Sequence, residues 1–132
     1  MKILVDTNIF LDLILKRNAF ESAVLIFNAI EKRLFLGVVL DITILNIDYI
    51  AQKQIKDVKE FLKLVNKHFD VVGASNEWIE EALKIDNKDL EDNLHYVGAK
   101  KLHCDAIITN DKDFYSHGII TLRSSEFVKR YL

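Results

Sequence analysis

At 132 residues, with 50% hydrophobic and 29% charged content, the sequence has the makeup of a single folded domain, 1–132, and falls outside the disordered class. A formal charge of −2 argues against avid non-specific nucleic-acid binding. It leaves a nuclease open, because setting aside a few clustered site acids leaves the remaining surface mildly positive. No apolar run reaches the ~18 residues that span a membrane, the N-terminus has no signal-peptide layout, and the lone Cys104 rules out an internal disulfide, so a cytoplasmic setting with no membrane partner is expected.

In chain order, residues 2–5 read as a buried strand that stops at Asp6, and residues 8–16 as a mostly buried helix. Asn18 and Glu21 have capping-box spacing for a helix over 19–32, with Phe20, Ala23, Val24, Phe27 and Ile30 on its apolar face. Leu34 to Leu40 is the second strand, Ile42 to Lys53 a helix, and Asp57 to Phe69 a helix with Val58, Phe61, Leu62, Val65 and Phe69 on one side. Residues 69–72 form a short third strand, and Gly73 and Ser75 turn and cap a helix over 76–85. A helix over 89–103, strands at 105–108 and 119–122, and a terminal helix over 125–132 complete the chain.

Strands alternating with helices predict an α/β domain: a mainly parallel central sheet of four to five strands, flanked by helices on both faces. Right-handed crossovers then bring the strand ends that carry Asp6 and Asp111 to one edge. Carboxylates gathered there repel one another unless a cation lies between them, which points to a divalent-metal site. Each acid also has a plainer reading. Asp6 at a strand end caps the next helix, and Asp89, Glu91 and Asp92 suit the positive end of a helix dipole. The dipole reading is kept for Asp89 and Glu91, and the metal-site reading for Asp92. Asp113 is either a turn residue or a supporting acid. His68, His95, His103 and His117 lack zinc-ligand spacing. Trp78 and Tyr96 read as core or interface, and Lys100 with Lys101 as a solvated face.

These segments resemble the PIN domain, a family of metal-dependent ribonucleases that includes the VapC-type toxins of bacterial toxin–antitoxin pairs. The family's opening Asp-Thr-Asn stands here as Asp6-Thr7-Asn8, after the strand Ile3-Leu4-Val5. Its acidic helix start, Asp-x-x-Asp, looks like Asp89-Leu90-Glu91-Asp92. Its closing motif looks like Ile107-Ile108-Thr109-Asn110-Asp111-Lys112-Asp113-Phe114. The resemblance implies an endoribonuclease in which Mg²⁺ or Mn²⁺, held by Asp6 and Asp92 with Asp111 nearby, activates water for in-line attack on RNA. It implies Thr7, Asn8 and Thr109 as groups that orient the acids or waters, with Asp89 and Asp113 in support. It also implies a VapB-like antitoxin partner in a type II pair and a homodimer.

One position departs from the pattern. Where the family has Thr-x-x-Glu, the chain has Thr43-Ile44-Leu45-Asn46; Asp48 lies about 200° around the helix from Asn46. An amide oxygen still coordinates a hard cation, without charge, and Asn46→Glu is expected to tighten Mn²⁺ binding if this is the missing acid. The alternative function is a catalytically weakened PIN-like domain that binds RNA or protein. A phosphotransferase with Asp6 as nucleophile is weaker, because the residue two positions on is Asn8 rather than an acid.

Overall fold

A computed structural model describes residues 1–132. β1 (Lys2–Val5) leads into α1 (Thr7–Ile14) and α2 (Phe20–Glu31), and β2 (Leu36–Leu40) into α3 (Asp41–Ala51) and α4 (Val58–His68). β3 (Asp70–Val72) is followed by α5 (Asn76–Lys84) and α6 (Leu90–Lys101). β4 (Ala106–Ile108) connects through a loop to β5 (Ile120–Leu122), and α7 (Ser124–Tyr131) closes the chain. The five strands form one wholly parallel sheet in the order β3-β2-β1-β4-β5.

The central strands are unbroken apolar runs because both of their faces are covered. Ile3, Val5, Val39 and Ile108 point to one side, where they meet Phe10, Ile26, Ile47, Val65 and Phe127 from α1, α2, α3, α4 and α7. Leu4, Val38, Leu40 and Ile107 point to the other, against Ala82 of α5 and Leu94 and Val97 of α6. The edge strands β3 and β5 are only three residues long and partly exposed, which limits edge-to-edge pairing. Gly37 in β2 permits close packing: a Cβ there would come within 2.8 Å of the Phe69 ring.

Several helix boundaries differ from the sequence expectation. The box at Asn18 and Glu21 does not form; Ala19 is the N-cap and has no side-chain cap bond. The cause is a tight turn in which the Phe20 N–H donates to the Arg17 carbonyl at 2.9 Å, leaving Asn18 outside the helix. α1, α2 and α6 each end in a left-handed residue that is not glycine: Lys16, Arg33 and His103, at φ 52°, 62° and 55°. In each, the following N–H reaches back five residues, as in Leu34 to Ala29 and Cys104 to Ala99, both at 2.9 Å. This is the Schellman closure, and it stops α1 and α6 short of the expected 16 and 103. Ser75 caps α5 as expected, accepting from the Trp78 N–H.

Candidate active site

All strands of a parallel sheet end on one edge; the chain runs outward from β1 through β2 to β3, then crosses back to β4 on the other side of β1, so the strand order reverses between β1 and β4. The crevice outside the carboxyl ends at such a reversal is where open α/β sheets bind ligands. Asp6 follows β1 directly, and its N–H donates to the Ile108 carbonyl at 3.0 Å, so it lies beside the end of β4. Thr109, Asn110 and Asp111 continue from that end.

Asp6 is buried and takes the capping role considered for it. One carboxylate oxygen accepts the Thr7 N–H at 2.8 Å and caps α1. The other accepts from the Thr109 hydroxyl at 2.7 Å and the Asn8 amide at 2.9 Å. Asn8 in turn accepts the Asn110 N–H at 3.1 Å, and the Thr109 hydroxyl oxygen accepts the Asp111 N–H at 3.1 Å. Asn8 and Thr109 therefore tie the loops after β1 and β4 together and fix the Asp6 carboxylate.

A second group of acids lies beside the first. One carboxylate oxygen each of Asp89, Asp92 and Asp111 falls within 4.8 Å of the others. Asp89 is the N-cap of α6 and accepts the Asp92 N–H at 3.0 Å; Asp111 accepts the Asp113 N–H at 2.9 Å. Asp113 is thus a turn residue that also borders the cleft, an open depression of about 550 Å³ bounded by Asp86, Lys88, Asp89, Asp92 and Asp111. Burial, followed by the charges of Asp6 and Asp89 and by contact with Asp111, pushes the Asp92 carboxyl from 3.8 up to about 8. No Lys or Arg pairs with Asp6, Asp89, Asp92 or Asp111; the ion pairs with Lys lie elsewhere, such as Lys101 with Glu77 and Glu81. Convergent carboxylate oxygens that no Lys or Arg pairs with suit a hard divalent cation such as Mg²⁺ or Mn²⁺. Asp6, Glu91 and His95 also bring one possible ligand atom each within 4.8 Å of the others, and there the His95 ring is engaged by Thr43 and the Glu91 carbonyl.

The sequence reading missed a further set of groups. Glu91, read as a helix-dipole acid, turns inward: Oε1 accepts from the Asn46 amide at 2.6 Å and Oε2 lies 3.3 Å from the Thr7 hydroxyl. Thr7 and Thr43 share a hydrogen bond of 2.9 Å, and Thr43 meets His95 Nε2 at 3.1 Å. The fully buried His95 donates from Nδ1 to the Glu91 carbonyl at 2.8 Å, which anchors the first turn of α6. Asp41 and Asp48 make no hydrogen bond to this set. The spacing of Thr43 and Asn46 did mark α3 in the sequence, but nothing in the local sequence pairs it with Glu91.

A larger cleft of about 720 Å³ lies on the other side of Asn110, bordered by Asp12, Arg17, Ser22, Arg123 and Ser125. The Asn110 side chain spans it, donating to Asp12 at 2.8 Å and accepting from the Ser124 N–H at 3.0 Å. Arg17 and Arg123 are exposed and engage no carboxylate in an ion pair. Trp78 and Tyr96 both pack at the α5–α6 core, as expected, and Tyr96 also donates to the His117 carbonyl at 2.7 Å.

Fold and site together define a parallel α/β domain with an acidic cleft at the reversal point of its sheet. Residues 2–113 match the family model of the PIN domain, and the chain belongs to that family. Among characterised relatives, Ribonuclease VapC1 of Aquifex aeolicus (strain VF5) is 35% identical over 85 residues. That stretch is 61% of this chain and 56% of the relative, so the chain spans little more than half of the relative's length. Among solved structures, VapBC2 from Rickettsia felis, bound to a promoter DNA fragment, matches with TM-score 0.71 and 15% identity over 93% of this chain and 98% of that one. A toxin–antitoxin complex from Klebsiella pneumoniae matches with TM-score 0.71 and 18% identity, covering 92% and 97%. Mycobacterium tuberculosis VapC20, a sarcin-ricin loop cleaving toxin, matches with TM-score 0.68 and 14% identity, covering 89% and 96%. At these identities the structural likeness is one of fold. No helix is long and apolar enough to cross a membrane.

Proposed function

We propose that the protein is a metal-dependent endoribonuclease that hydrolyses RNA phosphodiester bonds, acting as the toxin of a type II toxin–antitoxin pair. The observation that carries this reading is the convergence of Asp89, Asp92 and Asp111 beside Asp6 with no Lys or Arg in an ion pair with any of them. In this reading Asp6, Asp92 and Asp111 hold Mg²⁺ or Mn²⁺. Such a cation supplies activated water near neutral pH and offsets charge on the phosphoryl oxygens.

The protein's own residues prepare that chemistry. Asn8 and Thr109 fix the Asp6 carboxylate through hydrogen bonds to one oxygen. Asp89 holds the first turn of α6 and so sets the position of Asp92. Asp92 would have to give up its proton to hold a cation, which would tie metal affinity to pH. Arg17 and Arg123, across Asn110 from the acids, are placed to bind RNA phosphates and draw the strand over the cleft.

An antitoxin of the VapB type restrains the activity, a reading supported by solved structures of this fold that come from toxin–antitoxin complexes. A homodimer forms through the exposed apolar residues of α3, where Leu45 and Tyr49 are 71% and 55% accessible. Induced expression in a bacterial host tests the toxin reading: wild type is expected to arrest growth and Asp92→Asn to permit it. Equal growth with both, at equal protein level, would contradict the reading. The weakened-domain alternative rests on Asn46 in place of an acid.

A further inference from the structure

The missing acid of α3 has a counterpart across the site. Glu91 is half-buried and faces α3 rather than solvent, although a first-turn acid interacting only with the helix dipole has no need to be covered. Its contact with Asn46 joins residues 45 positions apart, and 2.6 Å is short even for a charge-assisted N–H···O bond. Only the NH₂ of an amide can donate to a carboxylate, so the orientation of Asn46 is fixed by chemistry. Carboxylate oxygens of Glu91 and Asp6 lie within 4.8 Å of each other.

We propose that Glu91, presented from α6, is the acid that completes the carboxylate set around the cation, and that Asn46 is the positioning residue that holds it. The proposal rests on the metal-nuclease reading above. The acid then stands on α6, while α3 carries an amide donor where the resemblance implies an acid. A glutamate at 46 would face the Glu91 carboxylate where an amide now donates, so Asn46→Glu is expected to weaken the site. That reverses the expectation drawn from the sequence.

The test is Mn²⁺ binding by calorimetry on folded wild type, Glu91→Gln, Asn46→Glu and the exchanged pair Asn46→Glu/Glu91→Gln, with RNA cleavage measured in parallel. Glu91→Gln should bind Mn²⁺ at least ~10-fold more weakly, as expected for loss of one group of the site. Asn46→Glu alone should also bind more weakly. The exchanged pair should recover to within ~3-fold of wild type, a coupling that a purely structural role would not produce. Should Glu91→Gln not fold, Asn46→Ala removes only the amide and should still weaken Mn²⁺ binding by ~3-fold or more. Wild-type affinity in Glu91→Gln or Asn46→Ala, or tighter binding by Asn46→Glu, overturns the proposal. If the binding pattern holds while even wild type cleaves no RNA, the nuclease reading fails and the placement of the acid on α6 stands. If wild type binds no Mn²⁺, both fall.

Discussion

Asp92→Asn should stabilise the metal-free protein at pH 8 while removing its response to metal. The reason is linkage. Asp92 is pushed from 3.8 to about 8 by burial and by Asp6, Asp89 and Asp111, so the native state holds this proton more tightly than the unfolded chain does. Its contribution to stability is complete below 3.8 and declines as pH rises from there to about 8. Asparagine resembles the protonated acid in shape and charge and has nothing to lose in that window. A shift is worth about 1.36 kcal/mol per pH unit in full, but the cleft is open to water, which screens the acids; a gain of about 2 kcal/mol is expected. That is roughly 6–10 °C in Tm for a domain of this size. The assay is thermal melting at pH 5 and pH 8, each with EDTA and with excess Mg²⁺. With EDTA the variant should melt only slightly above wild type at pH 5 and well above it at pH 8. Mg²⁺ should raise wild type and leave the variant unmoved. A variant less stable than wild type at pH 8 in EDTA would refute the reasoning, because Asp92 would then have a stabilising partner in the metal-free protein.

Other perturbations probe separate parts of the account. Asp6→Asn should lower cleavage by ~100-fold or more, and should also cost ~1–3 kcal/mol in chemical denaturation, because an amide NH₂ replaces an oxygen that accepts from buried donors. Arg17→Ala/Arg123→Ala should weaken binding of a single-stranded RNA oligonucleotide and reduce the salt slope of log K by ~1–2, with Mn²⁺ affinity unchanged; an unaltered slope would remove these residues from the RNA path. Arg33→Gly should raise stability by ~0.5–1 kcal/mol in urea unfolding, since glycine relieves the left-handed strain at φ 62°. Cys104, whose thiol burial pushes up to about 11, should react with a thiol reagent at pH 8 only as the protein unfolds.

The sheet was readable because both of its faces are buried: Ile3-Leu4-Val5 and Ala106-Ile107-Ile108 are apolar without alternation, and each run ends at a polar group. Asp6 and Asp111 stood out for that reason, and Asp92 through its helix-start spacing. Helix ends were harder, because the usual glycine at the left-handed position is replaced by Lys16, Arg33 and His103. Asn18 has a capping residue's chemistry but lies outside the turn that starts α2. Glu91 was hidden for a different reason. In one dimension it is an ordinary first-turn acid; its bond to Asn46 exists only because α3 and α6, which cover opposite faces of the sheet, meet at its carboxyl edge.

The most direct measurement is cleavage of a labelled single-stranded RNA by purified protein, in Mn²⁺ or Mg²⁺ and in EDTA, for wild type and for Asp92→Asn with its fold verified by its melt. Internal cleavage by wild type that requires the cation and falls ~100-fold or more in the variant is the predicted result. Cleavage that persists in EDTA, or proceeds equally well without the Asp92 carboxylate, would contradict the assignment of the acidic cleft as a metal-dependent nuclease site.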